Sequence, residues 1–479
     1  MMRMYKRQHP ITILSELKIS HLLPGIIPLI SLKGKFPFWY MVPIAVFVGT
    51  IIFSVIHWYY KVYGVKDHVL HIKHGMFVKK ESYLNKDRVQ TIHTSSHILY
   101  QLLGLTKLKI EAAGGGEEPE VSLAGITTQE AKELIALLNA ETSTKRIDVV
   151  VQEEANSSEY KLTWKEIIFA SITSGEFGLV FSILLFIFSK MHDYAPEWMV
   201  DKLKKYVMGF DFSISIWIYG AVVLFVLSWI LSTIRYALKH ANFTIVRNRN
   251  EIRVSQGLLE KKEVVLKTHR IQGITVKETL LREWLGYCSI HAEVIQNVEK
   301  EETSVTLHPL MKKAHVSGLL EHLELPYRLE INVIKLPKAA LRRYLIGWWI
   351  VFLVVTIPIA GASIYFEKYF ALLTFIPLFA LFTWLGYRSF TAGGYALDDE
   401  QLTIVSRTIG KHTGLIRRRH IQSFSKTQTF FQRKDQLCSM TFTVASSVGG
   451  HHYKLEHTTM KDAEAMQDWF KKSKKITLS

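Results

Sequence analysis

The sequence predicts a membrane α-helical bundle of about six spanning helices, paired as three hairpins, interleaved with three small α+β domains. Two observations predict it: long apolar runs alternate with polar, strand-patterned stretches, and one passage recurs three times along the chain. Of 479 residues, 48% are hydrophobic, and they are bunched where a soluble protein interleaves them with charges. The mean hydropathy is +0.13. That length exceeds one ordinary soluble core and fits about three units. A net charge of +17 with a pI near 9.5 calls for an anionic partner. Apolar segments beside the basic ones favour membrane headgroups over nucleic acid. No aromatic stacking platform or recognition-helix pattern accompanies the charge.

Five stretches read as spanning helices: 36–58, 167–188, 212–234, 344–365 and 369–386. Roughly 20 apolar residues cross a ~30 Å hydrocarbon core. Aromatic residues stand where interfaces belong, among them Trp39, Tyr40, Trp58, Trp348, Trp349, Trp384 and Tyr387. A sixth stretch, 19–32, is short and interrupted by Pro24 and Pro28. Read as a span, it completes a third hairpin; a re-entrant element has the same signature. Lys61, Lys165, Arg235, Lys239, Arg342, Arg343 and Arg388 flank the ends that join the polar units, which places those units in the cytoplasm. Lys190, Lys202, Lys204 and Lys205 weigh the other way. Arg3, Lys6 and Arg7 precede no compact apolar run with a small-residue cleavage site, so no cleaved signal peptide is expected.

The repeat aligns without gaps on Gln90, Gln272 and Gln422, each preceded by Arg-Val, Arg-Ile or His-Ile. Counting from each Gln, position +14 holds Gly104, Gly286 and Gln436. Positions +18, +20 and +22 hold Leu108, Ile110, Ala112; Ile290, Ala292, Val294; and Met440, Phe442, Val444. This alternation predicts a half-buried strand with Lys109, Glu111, His291 and Glu293 toward solvent. Gly75 and Gly257, at −15, each end an earlier alternating strand. Each unit closes on an amphipathic helix, carried by Ala131, Leu134, Ile135 and Leu138, by Val316, Leu319, Leu320 and Leu323, and by Ala463, Met466 and Phe470. Thr127 with Glu130, and Thr459 with Asp462, predict capping boxes.

These features order the chain as hairpin 1 (1–61), domain 1 (62–142), linker (143–163), hairpin 2 (164–236), domain 2 (237–328), linker (329–343), hairpin 3 (344–390) and domain 3 (391–479). A hairpin, a strand ending in Gly, a basic pair, Arg-(Ile/Val)-Gln, a leucine-rich segment ending Leu-Gly, a further strand and a terminal helix together resemble the second family of bacterial pleckstrin-homology-like (PH-like) domains. The whole chain resembles its three-copy membrane form. The third copy departs, with His420 for Arg and no Leu-Gly. The resemblance implies a PH-like barrel (a bent sheet with a C-terminal helix) and no established enzymatic activity. It also implies a smaller PH-like membrane protein as partner, and a role in defence against membrane-active antimicrobial peptides.

A basic pair sits at −11 and −10 in every copy: Lys79-Lys80, Lys261-Lys262 and Lys411-His412, the last reinforced by Arg417, Arg418 and Arg419. Near anionic lipid each Lys or Arg gains about 1 kcal/mol; the plainer reading is that they solubilise a strand edge. Arg88 and Arg270 bind either an acidic partner or backbone carbonyls of their own unit. Glu176 falls near the middle of 167–188. An ionised residue there costs ~2.5–3.5 kcal/mol on insertion scales measured for Asp, Lys and Arg, so it serves as a polar contact between helices or lines a transport path. Ser171, Thr173 and Ser174 stand near it. Cys288 and Cys438, both at +16, read as packing residues. His68, His71 and His74 lie on an alternating strand and His451-His452 follow a Gly-Gly turn, so no metal is expected. Gly114–Gly116 reads as a hairpin turn, and Ser158 with Lys161 as linker, so no cofactor or catalytic site is expected. The reading is a non-catalytic scaffold bound to the lipid bilayer; the alternative is a transporter or exporter component with a polar path near Glu176.

Overall fold

The computed structural model describes residues 5–13, 41–66, 69–76, 78–85, 89–112, 121–139, 159–176, 178, 180–186, 215–248, 251–294, 304–329, 332–365, 369–446 and 450–472. They fall into two compact units: Met1–Tyr160 with Thr244–Arg270, and Lys161–Phe243 with Ile271–Ile295 and Thr303–Ser479.

In the first unit, β1 (Lys6–Arg7), β2 (Val62–Lys66), β3 (Val69–His74) and β4 (Lys80–Asn85) form one antiparallel sheet in that order. It packs against β5 (Val89–His97), β6 (Leu105–Ala112) and β7 (Val121–Thr127). Tyr63, Leu70, Ile72 and Leu84 meet Ile92, Leu108, Ile110 and Leu123 in one core. Each such side chain contributes roughly 1.5–3 kcal/mol when fully buried. Helix α1 (Met41–Tyr60) enters this module, α2 (Ile98–Leu102) is a single turn between β5 and β6, and α3 (Thr128–Asn139) plugs the open end with Ala131 and Leu134. The expected capping box starts α3: Glu130 N donates to Thr127 Oγ1 at 3.2 Å and Thr127 N to Glu130 Oε2 at 3.4 Å.

The far edge of β5 is covered by the next repeat. β9 (Thr244–Asn248), β10 (Glu251–Gln256) and β11 (Glu260–Lys267) join it through β11, giving a seven-stranded sheet β7-β6-β5-β11-β10-β9-β8, where β8 is Glu159–Lys161.

The second unit repeats the device. β12 (Ile271–Glu278), β13 (Tyr287–Val294) and β14 (Ser304–Lys312) are joined at β12 by β18 (Lys411–Arg417), followed outward by β17 (Gln401–Arg407), β16 (Gly394–Leu397) and β15 (Ile334–Lys335). β19 (Ile421–Thr427), β20 (Leu437–Val444) and β21 (His451–Thr459) form a last three-stranded sheet. It faces β16–β18 over a core of Leu402, Ile404, Ile416, Met440, Phe442 and Leu455.

The helices of the second unit are α4 (Trp164–Ile172), α5 (Ser215–His240), α6 (Leu280–Trp284), α7 (Val316–His322), α8 (Ala339–Tyr365), α9 (Phe375–Ala392), α10 (Phe430–Lys434) and α11 (Met460–Lys472). Helices α7 and α11 are the expected closing helices, burying Val316, Leu319 and Leu320, and Ala463 and Met466. At the start of α11 half of the expected capping box forms: Asp462 N donates to Thr459 Oγ1 at 3.1 Å, while Asp462 Oδ2 accepts from the Thr459 hydroxyl at 2.6 Å and not from its backbone amide.

Among the described residues, three helices are long and apolar enough to cross a membrane: Val222–His240, Ala339–Tyr365 and Leu372–Ala392. A shorter apolar helix runs from Ile44 to Tyr60. This corrects the expected count of about six. Stretch 19–32 lies outside the described residues, and 167–188 is not one continuous helix. Helix α4 stops at Ile172, and Gly175, at φ +72°, turns the chain. The third hairpin is present: Trp349 stacks on Phe379 at 5.8 Å, and Trp348 Nε1 and Trp349 Nε1 donate to Ser389 and Thr383 at 3.2 and 3.0 Å.

Candidate functional site: repeated turns and basic hairpins

Positions +7 to +14 fold the same way in every repeat. A strand ends, one helical turn follows (α2, α6 or α10), and the chain reverses into the next strand. Thr279 and Thr429 at +7 cap their turns, accepting from the amides of Arg282 and Gln432; His97, at the same position, makes no side-chain cap. The reversal at +14 needs a left-handed residue. Gly104 and Gly286 supply φ +64° and +72°, and Gln436 adopts φ +54° in their place. A Cβ at Gly104 or Gly286 would meet nothing within 4 Å, so the site rejects side chains only through backbone preference. The third repeat therefore keeps the turn without Leu-Gly.

Position +10 points inward and is buried in all three: Tyr100, Arg282 and Gln432. Large apolar residues on either side of it point outward. Leu102 is 79% exposed, Trp284 82% and Phe430 81%, joined by Leu99, Leu103, Leu281, Leu285 and Phe431. Each of the three turns thus presents its own exposed apolar patch.

In the second unit these turns are fastened to the ends of apolar helices. Arg282 donates to Ala170 O at 2.9 Å, to Thr173 Oγ1 at 3.2 Å and to Tyr236 Oη at 3.3 Å, while Thr279 Oγ1 donates to Thr173 O at 3.0 Å. A guanidinium this buried is tolerated because its donors are answered. Glu283 accepts from Arg388 at 2.9 Å and from Arg407 at 2.5 Å. Burial raises the Glu283 pKa, but the two arginines outweigh it and hold the carboxyl below its ordinary value. On α10, Arg343, at the head of α8, donates to Phe431 O at 2.7 Å and pairs with Asp435. Sequence reasoning saw the leucine-rich segment but not its exposure or its anchoring; the signal was apolar residues flanking +10 in each copy.

The basic pairs divide into two groups. Lys79, Lys80 and Lys261 are exposed, and Lys262 lies 3.8 Å from Glu260. The third repeat's cations are engaged within the fold. Lys411 is 3.7 Å from Glu278, with its pKa lowered by burial, and burial also lowers His412. Arg417 pairs with Glu400, and Arg418 donates to Trp469 O at 3.2 Å with its guanidinium 5.3 Å from that ring. Arg88 lies outside the described residues. His420, in the equivalent place, sits 3.2 Å from Gln272 O, and burial brings its pKa down to about 4.

Glu176 is not inside a helix. It stands just past the break after Ile172, and Arg235 NH2 donates to its Oε2 at 2.8 Å with both side chains partly exposed. Ser171 and Thr173 bond back to Ile167 O and Phe169 O. Ser174 Oγ accepts from the Glu176 backbone amide at 3.4 Å. Cys288 and Cys438 are free and buried, and burial pushes the Cys288 thiol up to about 12. Among the described residues no group of three His, Cys, Asp or Glu gathers. Gly114–Gly116, Ser158 and His68 lie outside them.

One sequence expectation reverses. Glu293 is buried, at 1% exposure, where alternation placed it in solvent. Thr275 Oγ1 donates to it at 2.9 Å, and the third repeat covers it, with Tyr453 Oη 3.2 Å from Thr275 and His451 Nδ1 3.6 Å from Glu293. The outer face of β13 is thus an inter-repeat interface. Burial raises Glu293 to about 7 and lowers His451 to about 4.

The comparisons with known proteins agree with this architecture. The model of a family described as bacterial PH domain matches residues 22–142, 201–326 and 335–474. The UPF0699 transmembrane protein YdbT of Bacillus subtilis (strain 168) is 30% identical over 443 residues, covering 88% of this chain and 87% of that protein. No solved structure matches the chain. With three matched repeats, helices long enough to span and a transmembrane relative over nearly its whole length, this membrane protein belongs to the bacterial PH domain family.

Proposed function

We propose that the chain is a non-catalytic scaffold of the cell membrane. Its apolar turns and spanning helices hold PH-like modules against the cytoplasmic face. The observation that carries this is the exposed apolar turn found in all three repeats and, in the second and third, tied to helix ends by Arg282, Glu283 and Arg343. Transfer of a Leu- or Phe-sized side chain from water contributes roughly 1.5–3 kcal/mol when complete. A Lys near anionic lipid contributes about 1 kcal/mol. The turns are therefore the principal lipid contact, with Lys79, Lys80, Lys261 and Lys262 adding a charge-dependent part.

A spin label on Phe430→Cys in the full chain, reconstituted in phosphatidylglycerol-containing vesicles, tests it. Collision with lipid-soluble oxygen should exceed collision with a water-soluble nickel chelate; the reverse ratio would overturn the docking. At the level of the cell, the scaffold acts with a smaller PH-like membrane protein in envelope protection, resistance to membrane-active antimicrobial peptides included. Deleting the chain should sensitise cells to such peptides, and unchanged sensitivity would remove that role. The Glu176–Arg235 pair supports the scaffold over a transport path, because the carboxylate already has its cation. Glu176→Gln should leave peptide resistance intact.

A further inference from the structure

The two inter-repeat junctions share one register. At the first, Thr91 faces Leu266 and His97 faces Glu260; at the second, Gly273 faces Ile416 and Glu278 faces Lys411. In repeat positions both pair +1 with −6 and step outward from there. Position +2 against −7 is aliphatic at both, Ile92 with Val265 and then Ile274 with Leu415, while +5 against −10 is Ser95 with Lys262 and then Lys277 with His412, sharing only a basic residue at −10.

Two strands stand outside this scheme. β4, the equivalent of β11 and β18, has only β3 beside it among the described residues, and β19, the equivalent of β5 and β12, has only β20. Their exposure fits an unfilled junction. At −7, Val265 is 6% exposed and Leu415 is fully buried, while Tyr83 is 58% exposed. β12 is buried along nearly its whole length; β19 is exposed at all but Ile421 and the half-buried Phe424.

We propose that copies of this chain associate head to tail, β19 of one pairing antiparallel with β4 of the next in the register of the internal junctions. That register sets Phe424 opposite Tyr83, Lys426 opposite Glu81 and Thr427 opposite Lys80. The first is the aromatic counterpart of the two aliphatic pairs. The second is an opposite-charge pair, which stabilises a sheet where like charges would oppose it. The third is a hydroxyl against a lysine, as in Ser95 with Lys262. Glu81 already holds Lys73 at 2.9 Å, so Lys426 joins a carboxylate that is ordered beforehand. Such a heterologous contact leaves the same two edges available at each end, so it extends or closes on itself.

Directly opposed antiparallel residues have Cα atoms about 4.5–5.5 Å apart, within disulfide reach. The test co-expresses two differently tagged full chains, one Glu81→Cys and the other Lys426→Cys, and oxidises the intact membranes. The expected result is a reducible band carrying both tags, which is lost when Lys426→Cys is replaced by Gln422→Cys. Charge reversal by Glu81→Lys should cut cross-linking several-fold in chains carrying Tyr83→Cys and Phe424→Cys, and adding Lys426→Glu should restore it. Three outcomes would overturn the proposal: no two-tag band although both thiols accept a maleimide, equal cross-linking at the wrong register, or capture of a different envelope protein at these positions.

Discussion

Position +14 isolates backbone preference from packing. Gln436 holds a left-handed conformation that glycine adopts freely, in space that admits a side chain. Gln436→Gly should therefore raise stability by about 0.5–1 kcal/mol, read as a higher melting temperature in detergent. Gly257 is the opposite case. At φ +105° a Cβ would fall 2.0 Å from Glu260 O, so Gly257→Ala should cost about 2 kcal/mol or more. Both glycine positions were legible in the sequence because their cause is local. Glu293 was not: alternation reports which side chains share a face of a strand, not whether a distant repeat covers that face. Its burial has a pH consequence. His308, His420 and His451 are each brought by burial from 6.5 to about 4. Between those limits the unfolded chain takes up protons that the folded chain refuses, so stability present above pH 6.5 is lost as the pH falls toward 4. Glu293 acts in the other sense, keeping a proton up to about 7 that the unfolded chain gives up near 4.5, so it favours the fold as the pH falls. His291, His412 and His457, also lowered by burial, side with these three histidines against Glu293, and thermal scans should show a lower melting temperature at pH 5 than at pH 7. Glu293→Gln should steepen that loss.

At the scale of elements, the short turn between the fifth and sixth strands of each repeat carries the attachments. The sequence showed it only as a leucine-rich segment, whereas the closing helices and the Thr127 and Thr459 caps were readable because those signals lie within four residues. The clamp was not, since Glu283 meets Arg388 and Arg407, which are more than a hundred residues further along the chain. Glu283→Ala should leave the Arg407 guanidinium, 1% exposed, without its carboxylate, at a cost of roughly 3 kcal/mol. Combining Glu283→Ala with Arg407→Met should recover most of it, a non-additivity that a double-mutant cycle measures. The span count failed for a related reason: composition made 167–188 one apolar run, while Ser171, Thr173 and Gly175 end its helix early.

At the scale of the whole chain, the threefold repeat and the membrane segments were legible, but the sharing of sheets between repeats was not. Strand pairing across an edge leaves no mark in periodicity, because both edges of a strand use the same backbone groups. The compact units accordingly cut through the second repeat, between β11 and β12, rather than between repeats.

Because the two seams are interchangeable in register, one full period can be removed without mismatching what remains. Joining the chain that precedes β11 directly to β18, at equivalent positions, would set Thr91 against Ile416, two residues that already meet partners of those positions. A shortened two-lobed protein of this kind should still insert and fold, whereas a cut half a period out of phase should not. Growth or loss by whole lobes is thus the variation that this architecture tolerates.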